Sequence, residues 1–575
     1  MEKKYPCDAL TSRRTFRSIR TKRMLRAIAA KIISKVVEDA RKSGSLPDDM
    51  RLNYIIETPR EEGFGDYSTN IAFILAPQLR KRPLDIAAML VEGMKGSEYC
   101  ESITVAGAGF INFSLKDSLW QQLLKDTASM GIKSLYPNAG GGKKVLIEFV
   151  SANPTGPLHI GHGRGAAVGD VLSNLLERTG HTVAKEYYIN DAGRQIKTLG
   201  RSTFLRLKEL KGEAVEYPPD LYQGDYVRDL ARRIIDEGIA VPPGDEDAIS
   251  FLAGYASSFI MDGIKNDLAE FGVNFDNFFL ESSLYASGIV DETLRILKDR
   301  EIAYEKDGAL WFKTGLYEKD EDRVLVKSDG ENTYFTSDIA YHLDKFKRSF
   351  DVLVDIWGSD HHGYIPRLSA SVQALGRNKE DLRFLLIQFV TLIKDGKPVG
   401  MSTRSGEFTT LREVMDEVGR DACRFFFLMR KSDAHLEFDL DLAKKTSNEN
   451  PVYYVQYAHA RIESIFRNAR EAGVDTNDLS DADCTLLTLK EELDLIRWIT
   501  RYHSVLDGSA RSLEPHRVTF YLIEIVGRFH SYYNKTRVLG NDVGLTRARL
   551  LLLSALRDVI RDGLDLVGVS APEKM

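Results

Sequence analysis

His159 and His162 stand three residues apart at the start of a glycine-rich stretch, Gly161 to Leu176, whose apolar spacing predicts a helix. Asn153 to Pro157, just before them, is a Pro/Gly turn, and the apolar run Val145, Leu146, Ile147, Phe149, Val150 reads as a buried parallel strand. Strand, turn and helix start together make an anion site. The first N–H groups of a helix lack intrahelical partners, and the helix dipole is positive at that end. The i, i+3 spacing puts both imidazoles on one side of the first turn, and Gly161 and Gly163 would let a flat ligand approach the backbone. Two close histidines also suit zinc, but no second Cys or His pair at zinc-finger spacing accompanies them. A dinucleotide would suit such a turn too, yet no G-x-G-x-x-G with a downstream acid follows.

Further along, Trp357 to Gly363 lies between an apolar run and a helical pattern, the crevice position for ligands in open sheets. Adjacent side chains on a regular element point apart, so His361 and His362 make a poor metal pair, and no metal site is expected. Pro398 to Phe408 is rich in small, hydroxyl and cationic residues.

The string His159-Ile160-Gly161-His162 is the signature of class I aminoacyl-tRNA synthetases, and Ala152-Asn153-Pro154-Thr155-Gly156-Pro157-Leu158 before it resembles the bacterial arginyl-tRNA synthetases. The Met401-Ser402-Thr403-Arg404 loop resembles the family's second signature, with Gly400 where a pyrophosphate-holding lysine usually sits. Lys394, Lys397 or Arg404 are candidates to supply that charge. The resemblance implies that the chain activates L-arginine with ATP, accompanied by Mg2+, to arginyl-adenylate. It implies as well that arginine is then transferred to the 3′ end of tRNA-Arg, with AMP and pyrophosphate released. His159, His162, Ser402 and Arg404 would be catalytic, and Gly161, Gly163, Gly358, Asp360, His361 and Met401 would bind ATP.

A guanidinium is a rigid fork of donors best met by carboxylates. For arginine the resemblance offers Glu148, Asn153, Asp191, Tyr334, Asp338 and Gln388, with Tyr334 and Asp338 around the guanidinium and Asn153 near the amino group. Read without the family, Asp338 suits an N-cap for a helix beginning at Ile339, and Asp191 an Asx turn. Phe64, Tyr457 and Asn534 are the tRNA candidates; aromatics interleaved with cations stack unpaired bases, though on a helix they more often fill a core.

These residues need several elements to position them. A chain of 575 residues exceeds one core. Its 43% hydrophobic and 28% charged residues are those of a globular protein, without an apolar run long enough to cross a membrane. Four scattered cysteines fit a reducing compartment, and the family implies a cytoplasmic monomer. The net charge of −6 does not announce a nucleic-acid partner, but a local basic surface can sit on an acidic whole.

The expected class is α/β: a Rossmann-type catalytic domain with an N-terminal α+β accessory domain and a C-terminal all-helical anticodon-binding domain. The first 26 residues carry nine Lys and Arg against Glu2 and Asp8. Such leaders occur in transit peptides, but this one reads as a basic extension, 1–23, ahead of an amphipathic helix starting at Met24. The accessory domain is expected over 24–138, the catalytic domain over 139–410 with an insertion at about 200–325, and the helical domain over 411–575. Gly140-Gly141-Gly142 reads as a flexible linker. Strands are expected at 352–356 and 384–392, and only helices after about 410, at 451–473, 486–507, 515–538 and 545–567.

Overall fold

The computed structural model describes residues 20–44, 46–47, 52–59, 63–191, 193–399 and 409–575. The leader up to residue 19 and the segment holding Gly400, Met401, Ser402 and Arg404 lie outside them. Helix α1 (Arg20–Lys42) begins four residues before Met24 and buries Ile28, Ile32, Ile33 and Val37 along one face. It leads into a four-stranded antiparallel sheet, order β1-β2-β4-β3. Its strands are β1 (Ile56–Glu57), β2 (Tyr67–Thr69), β3 (Cys100–Ala106) and β4 (Phe110–Leu115). Helices α2 (Ile71–Leu79) and α3 (Pro83–Met94) connect β2 to β3, and α4 (Asp117–Met130) follows the sheet.

The catalytic part opens with β5 (Lys144–Glu148), α5 (Ile160–Arg178) and β6 (Thr182–Ile189), a parallel crossover unit. The triple glycine is a docked turn, not a loose linker: the Gly140 and Gly142 N–H groups donate to the Thr179 and Gly180 carbonyls at 2.9 and 2.8 Å. Next come α6 (Arg194–Leu210), α7 (Asp225–Asp236), α8 (Asp245–Glu270), β7 (Asn277–Leu280), α9 (Ser282–Ala286) and α10 (Ile289–Asp299). The stretch at 200–325 is therefore not all insertion, because β7 pairs in parallel with β6 as an edge strand of the main sheet. Four residues between long charged helices carry too little pattern to be read as a strand.

A small antiparallel sheet, β8 (Ala303–Lys306), β9 (Ala309–Phe312) and β10 (Arg323–Val326), precedes α11 (Tyr334–Lys347), β11 (Val352–Gly358), α12 (Ile365–Ala374) and β12 (Leu382–Ile387). The main sheet runs β12-β11-β5-β6-β7, all parallel. The stretch expected as one strand at 384–392 breaks at Gln388. Beyond it, β13 (Val390–Lys394) leaves the main sheet to pair with β14 (Lys397–Pro398) and, in parallel, with β15 (Leu436–Asp439). The chain after 410 is thus not wholly helical. Helices α13 (Leu411–Val418) and α14 (Arg420–Phe427) come before β15 and α15 (Leu440–Ala443) after it.

The C-terminal bundle is α16 (Pro451–Glu471), α17 (Lys490–Ser512), α18 (His516–Lys535) and α19 (Val543–Leu566), as their apolar periods predict. Helix α4 packs on α17 and α19, and Arg497 of α17 reaches Asp66 and Asp117 at 3.1 Å each. Among the described residues no helix is long and apolar enough to cross a membrane.

Candidate active site

The site gathers at the carboxyl ends of β5, β6, β7 and β11, where parallel strands stop and their loops open a crevice. Beyond Glu148 at the end of β5, Val150 and Ser151 take left-handed φ angles of 68° and 40°. That conformation costs a β-branched residue about 1–3 kcal/mol, so surrounding contacts must impose it. They are visible. The Ser151 hydroxyl donates to Glu148 at 3.0 Å and accepts from the Tyr188 N–H at 3.1 Å. The Tyr187 and Tyr226 hydroxyls hold the Ala152 and Thr155 carbonyls at 2.7 Å each.

The turn delivers His159 to the N-cap of α5. Its Nδ1 accepts from the Gly161 and His162 N–H groups at 3.1 and 3.4 Å, and His162 Nδ1 accepts from the His159 N–H at 3.3 Å. The rings stack with centroids 3.6 Å apart. The sequence suggested bare N–H groups facing a ligand, whereas these donors are satisfied by the imidazoles. Burial lowers the His159 pKa and pulls His162 down to about 3, with the His159 neighbour adding to the shift. Both rings are therefore neutral, and with Nδ1 accepting, each carries its proton on Nε2. The helix start offers two imidazole N–H donors plus the helix dipole.

Gly161 packs under the His159 ring, where a Cβ would lie 3.0 Å from Cε1. Gly163 faces inward instead, because a Cβ there would strike Leu411 at 2.6 Å. Its bareness lets α13 and α14 close on α5, a packing reason in place of the expected ligand approach.

The flanks of the second signature are well placed. Thr409 accepts from the Ile160 N–H at 3.3 Å, Leu411 N–H donates to the Leu158 carbonyl at 2.8 Å, and His159 bridges Thr410. Thr409 to Leu411 thus lie against the start of α5. Lys394, one candidate for the missing charge, is held by Glu417 at 2.9 Å, a carboxylate shared with Lys444. After β11, Gly358 leaves room for Asp360, whose Oδ1 would be 2.5 Å from a Cβ. Asp360 and His361 are exposed and 3.6 Å apart. The Gln388 side-chain oxygen accepts from the Ser359 hydroxyl at 2.8 Å.

Three acids meet behind the turn. Asp338 is not an N-cap: α11 begins at Tyr334 after the extended Thr333, which puts Asp338 inside the helix, where Tyr364 donates its hydroxyl to it. Burial raises the Asp338 carboxyl to about 6, and the charges of Glu148 and Glu281 push the same way against the Tyr364 bond. Glu281, at the end of β7, is buried and its pKa raised chiefly by that burial. Among the described residues no lysine or arginine pairs with Asp338 or Glu281.

Glu148 differs. The fully buried Lys345 holds it at 2.6 Å and Asp355 at 3.0 Å, while His342 meets Asp355 at 2.9 Å. Burial opposes both charges, yet Asp355 and Glu148 raise Lys345, and Lys345 with His342 keeps Asp355 low. With both oxygens engaged inside the protein, Glu148 is an anchored charge rather than an open contact. Asp191 fastens α9, accepting from the Ser282 N–H at 3.0 Å and hydroxyl at 2.5 Å, so it is a cap across the chain, not a local Asx turn. Asn153 donates to Gln195 at 2.6 Å, and Tyr334 stands 71% exposed one turn before Asp338.

Sequence reasoning missed Glu281, Tyr188, Tyr364 and Lys345. An acid directly after the Phe278-Phe279-Leu280 run was the available signal for Glu281; the others have none outside the fold.

In the helical bundle Tyr457 and Asn534 do come together, lining a cavity of about 570 Å³ with Tyr453, Tyr454, Arg461 and His530. Tyr457 lies parallel to Tyr453 and His530, and Arg461 sits 4.6 Å over its ring. Phe64 is 44% exposed beside β2.

Three family models cover most of the chain: the arginyl tRNA synthetase N terminal domain at residues 24–115, the catalytic domain of tRNA synthetases class I (R) at 127–439, and the DALR anticodon binding domain at 455–575. The arginine–tRNA ligase of Syntrophotalea carbinolica is 52% identical over 537 residues, 93% of this chain and 96% of the relative. That of Citrifermentans bemidjiense is 50% identical over 549 residues, 94% and 99% respectively. The solved Thermus thermophilus arginyl-tRNA synthetase shares the fold, with a TM-score of 0.74 at 22% identity over 96% of this chain and all of that one. With a histidine-capped helix on a five-stranded parallel sheet and relatives along nearly its whole length, the chain belongs to the class I arginyl-tRNA synthetases.

Proposed function

We propose that the arginine–tRNA ligase reaction of this family is carried out here by an acid pocket opening beside the α5 start. The observation that carries this reading is the pair Asp338 and Glu281: buried acids that no described lysine or arginine pairs with are a built receptor for a guanidinium. Glu148 adds charge from behind, and Asn153 and Asp191 flank the entrance, with Tyr334 at the rim and Gln388 on the far strand.

The arginine carboxylate attacks the α-phosphorus of ATP and pyrophosphate leaves. His159 and His162 donate through Nε2 to phosphate oxygens as charge shifts onto them, and the α5 dipole adds to this. A terminal ribose hydroxyl of tRNA then attacks the adenylate carbonyl and AMP leaves. Gly161, Gly358, Asp360 and His361 are assigned to the ATP side, and Met401, Ser402 and Arg404 to the second phosphate grip. Mg2+ enters as the companion of the ATP phosphates.

Phe64 and the Tyr457–Asn534 cavity are assigned to tRNA, which suits stacking rings and nearby donors. Since every group invoked comes from one chain, a monomer suffices for the reaction.

Calorimetry with arginine, citrulline and lysine tests the pocket. Citrulline leaves the acids unpaired, a cost of several kcal/mol, so arginine should bind at least about a hundredfold more tightly. Equal affinity for arginine and citrulline would overturn the assignment.

A further inference from the structure

Arg164 lies two residues beyond His162, so on α5 it faces away from the histidines. Its guanidinium is fully buried. A buried arginine normally meets a carboxylate, but this one meets three main-chain carbonyls: Gln388 at 2.7 Å and Ala434 at 2.9 Å through one terminal nitrogen, and Lys431 at 2.9 Å through the other. The charge of Asp433, an acid at the surface paired with Lys431 at 2.9 Å, favours its charged form from outside. The interaction is thus built for geometry, because a planar fork fixes the direction of each acceptor in a way a point charge does not.

Those acceptors join separate parts of the site. Gln388 stands where the chain leaves the main sheet between β12 and β13, and its side-chain oxygen accepts from Ser359 at 2.8 Å and from the Phe389 N–H at 3.1 Å. Ser359 follows Gly358 in the segment assigned to the nucleoside. Ala434 and Lys431 lie on the loop before β15, the strand that pairs with β13.

We infer that Arg164 is a positioning residue which fixes the histidine-bearing start of α5 relative to Gln388 and, through it, to the Gly358–His361 segment. One guanidinium holds the phosphate side and the nucleoside side of the ATP site in register. This rests on the assignment of that segment to ATP.

Arg164→Lys keeps the charge and loses the fork. In arginine-dependent ATP–pyrophosphate exchange with tRNA present, it should lower kcat at least about tenfold and raise the KM for ATP, as misplacement of about an ångström does. Affinity for tRNA should stay within about twofold, a readout a merely structural loss would not spare. Ser359→Ala, at the far end of the relay, should raise the KM for ATP by about threefold with the same tRNA affinity. The double variant should be within about twofold of Arg164→Lys alone, since coupled residues are not additive.

A lower thermal midpoint for Arg164→Lys with wild-type kinetics per folded molecule, or multiplying effects in the double variant, would overturn the inference. If Arg164→Lys fails to fold, wild-type ATP kinetics in Ser359→Ala would overturn it alone. Failure of the ATP assignment shows differently, as absent exchange in the wild-type chain.

Discussion

In the proposed site, two neutral imidazoles at a helix start act as directed donors rather than as charges. Because burial holds His159 and His162 below their usual range, activity should not fall as solution histidines lose their protons between pH 6 and 8. His159→Ala should slow adenylate formation by about 10²–10³, the usual loss when one such donor is removed, and leave tRNA affinity nearly unchanged. Equal losses in both, read by exchange and filter binding, would contradict the role.

Asp338 supplies the pH-sensitive step. With its carboxyl raised to about 6, the free enzyme is protonated there below that value, so kcat/KM for arginine should drop as pH falls through about 6. At saturating arginine the guanidinium favours the carboxylate, and kcat should hold to lower pH. Asp338→Asn should raise the KM for arginine about 10- to 100-fold, and an unchanged KM would remove Asp338 from the pocket. The same linkage gives a stability sign. A carboxyl raised from 3.8 to about 6 by burial favours the folded state when protonated, and that contribution is lost as pH rises through about 6. At pH 7 Asp338→Asn should therefore unfold at a higher midpoint than the wild type, by up to about 3 kcal/mol.

At the scale of elements, α5 lies so close to β5 that a Cβ on Gly169 would come within 2.3 Å of the Phe149 ring. Gly169→Ala overpacks that contact and should cost about 1–3 kcal/mol in urea unfolding, despite the better helix propensity of alanine. A stabilised variant would show that the helix can shift. This helix, the strand before it and the four C-terminal helices were legible because each carries a long apolar period and a clear start. β7 and the β12–β13 break were not. The first is four residues among charged helices, and the second turns on which sheet Val390 joins, a tertiary choice that leaves no mark on local pattern. The pocket divides the same way. His159 and His162 show as a motif, whereas Glu281 and Lys345 acquire meaning only when β7 and α11 bring them to the sheet edge. Arg164 is marked by no local pattern, because its three carbonyl partners lie more than 200 residues away in the chain.

Across the whole molecule, several polar contacts tie the catalytic helix to the C-terminal bundle. Arg424, fully buried, joins Asp170 of α5 at 2.6 Å to the Val567 carbonyl at 3.0 Å. Nearer the C-terminus of α5, Asp562 of α19 accepts from the Tyr136 hydroxyl, from the Tyr502 hydroxyl at 2.6 Å, and faces Arg178 at 3.6 Å. Asp562→Ala strips all three, leaving two buried hydroxyls unpaired and Arg178 with only the exposed Asp565, and should cost about 2–4 kcal/mol. One cooperative unfolding transition moved to lower denaturant would fit. No change would mean the bundle docks on apolar packing alone.

The central claim is that the acid pocket and the histidine-capped helix form one site that activates arginine. Arginine-dependent ATP–pyrophosphate exchange, run with and without tRNA and with the other amino acids as controls, tests it most directly. Exchange is expected with arginine and with no other amino acid. A requirement for tRNA would place the consequence of Gly400 in the second signature, and exchange without tRNA would show that a nearby cation serves instead. No exchange in either condition, from folded protein that still binds tRNA, would contradict the account.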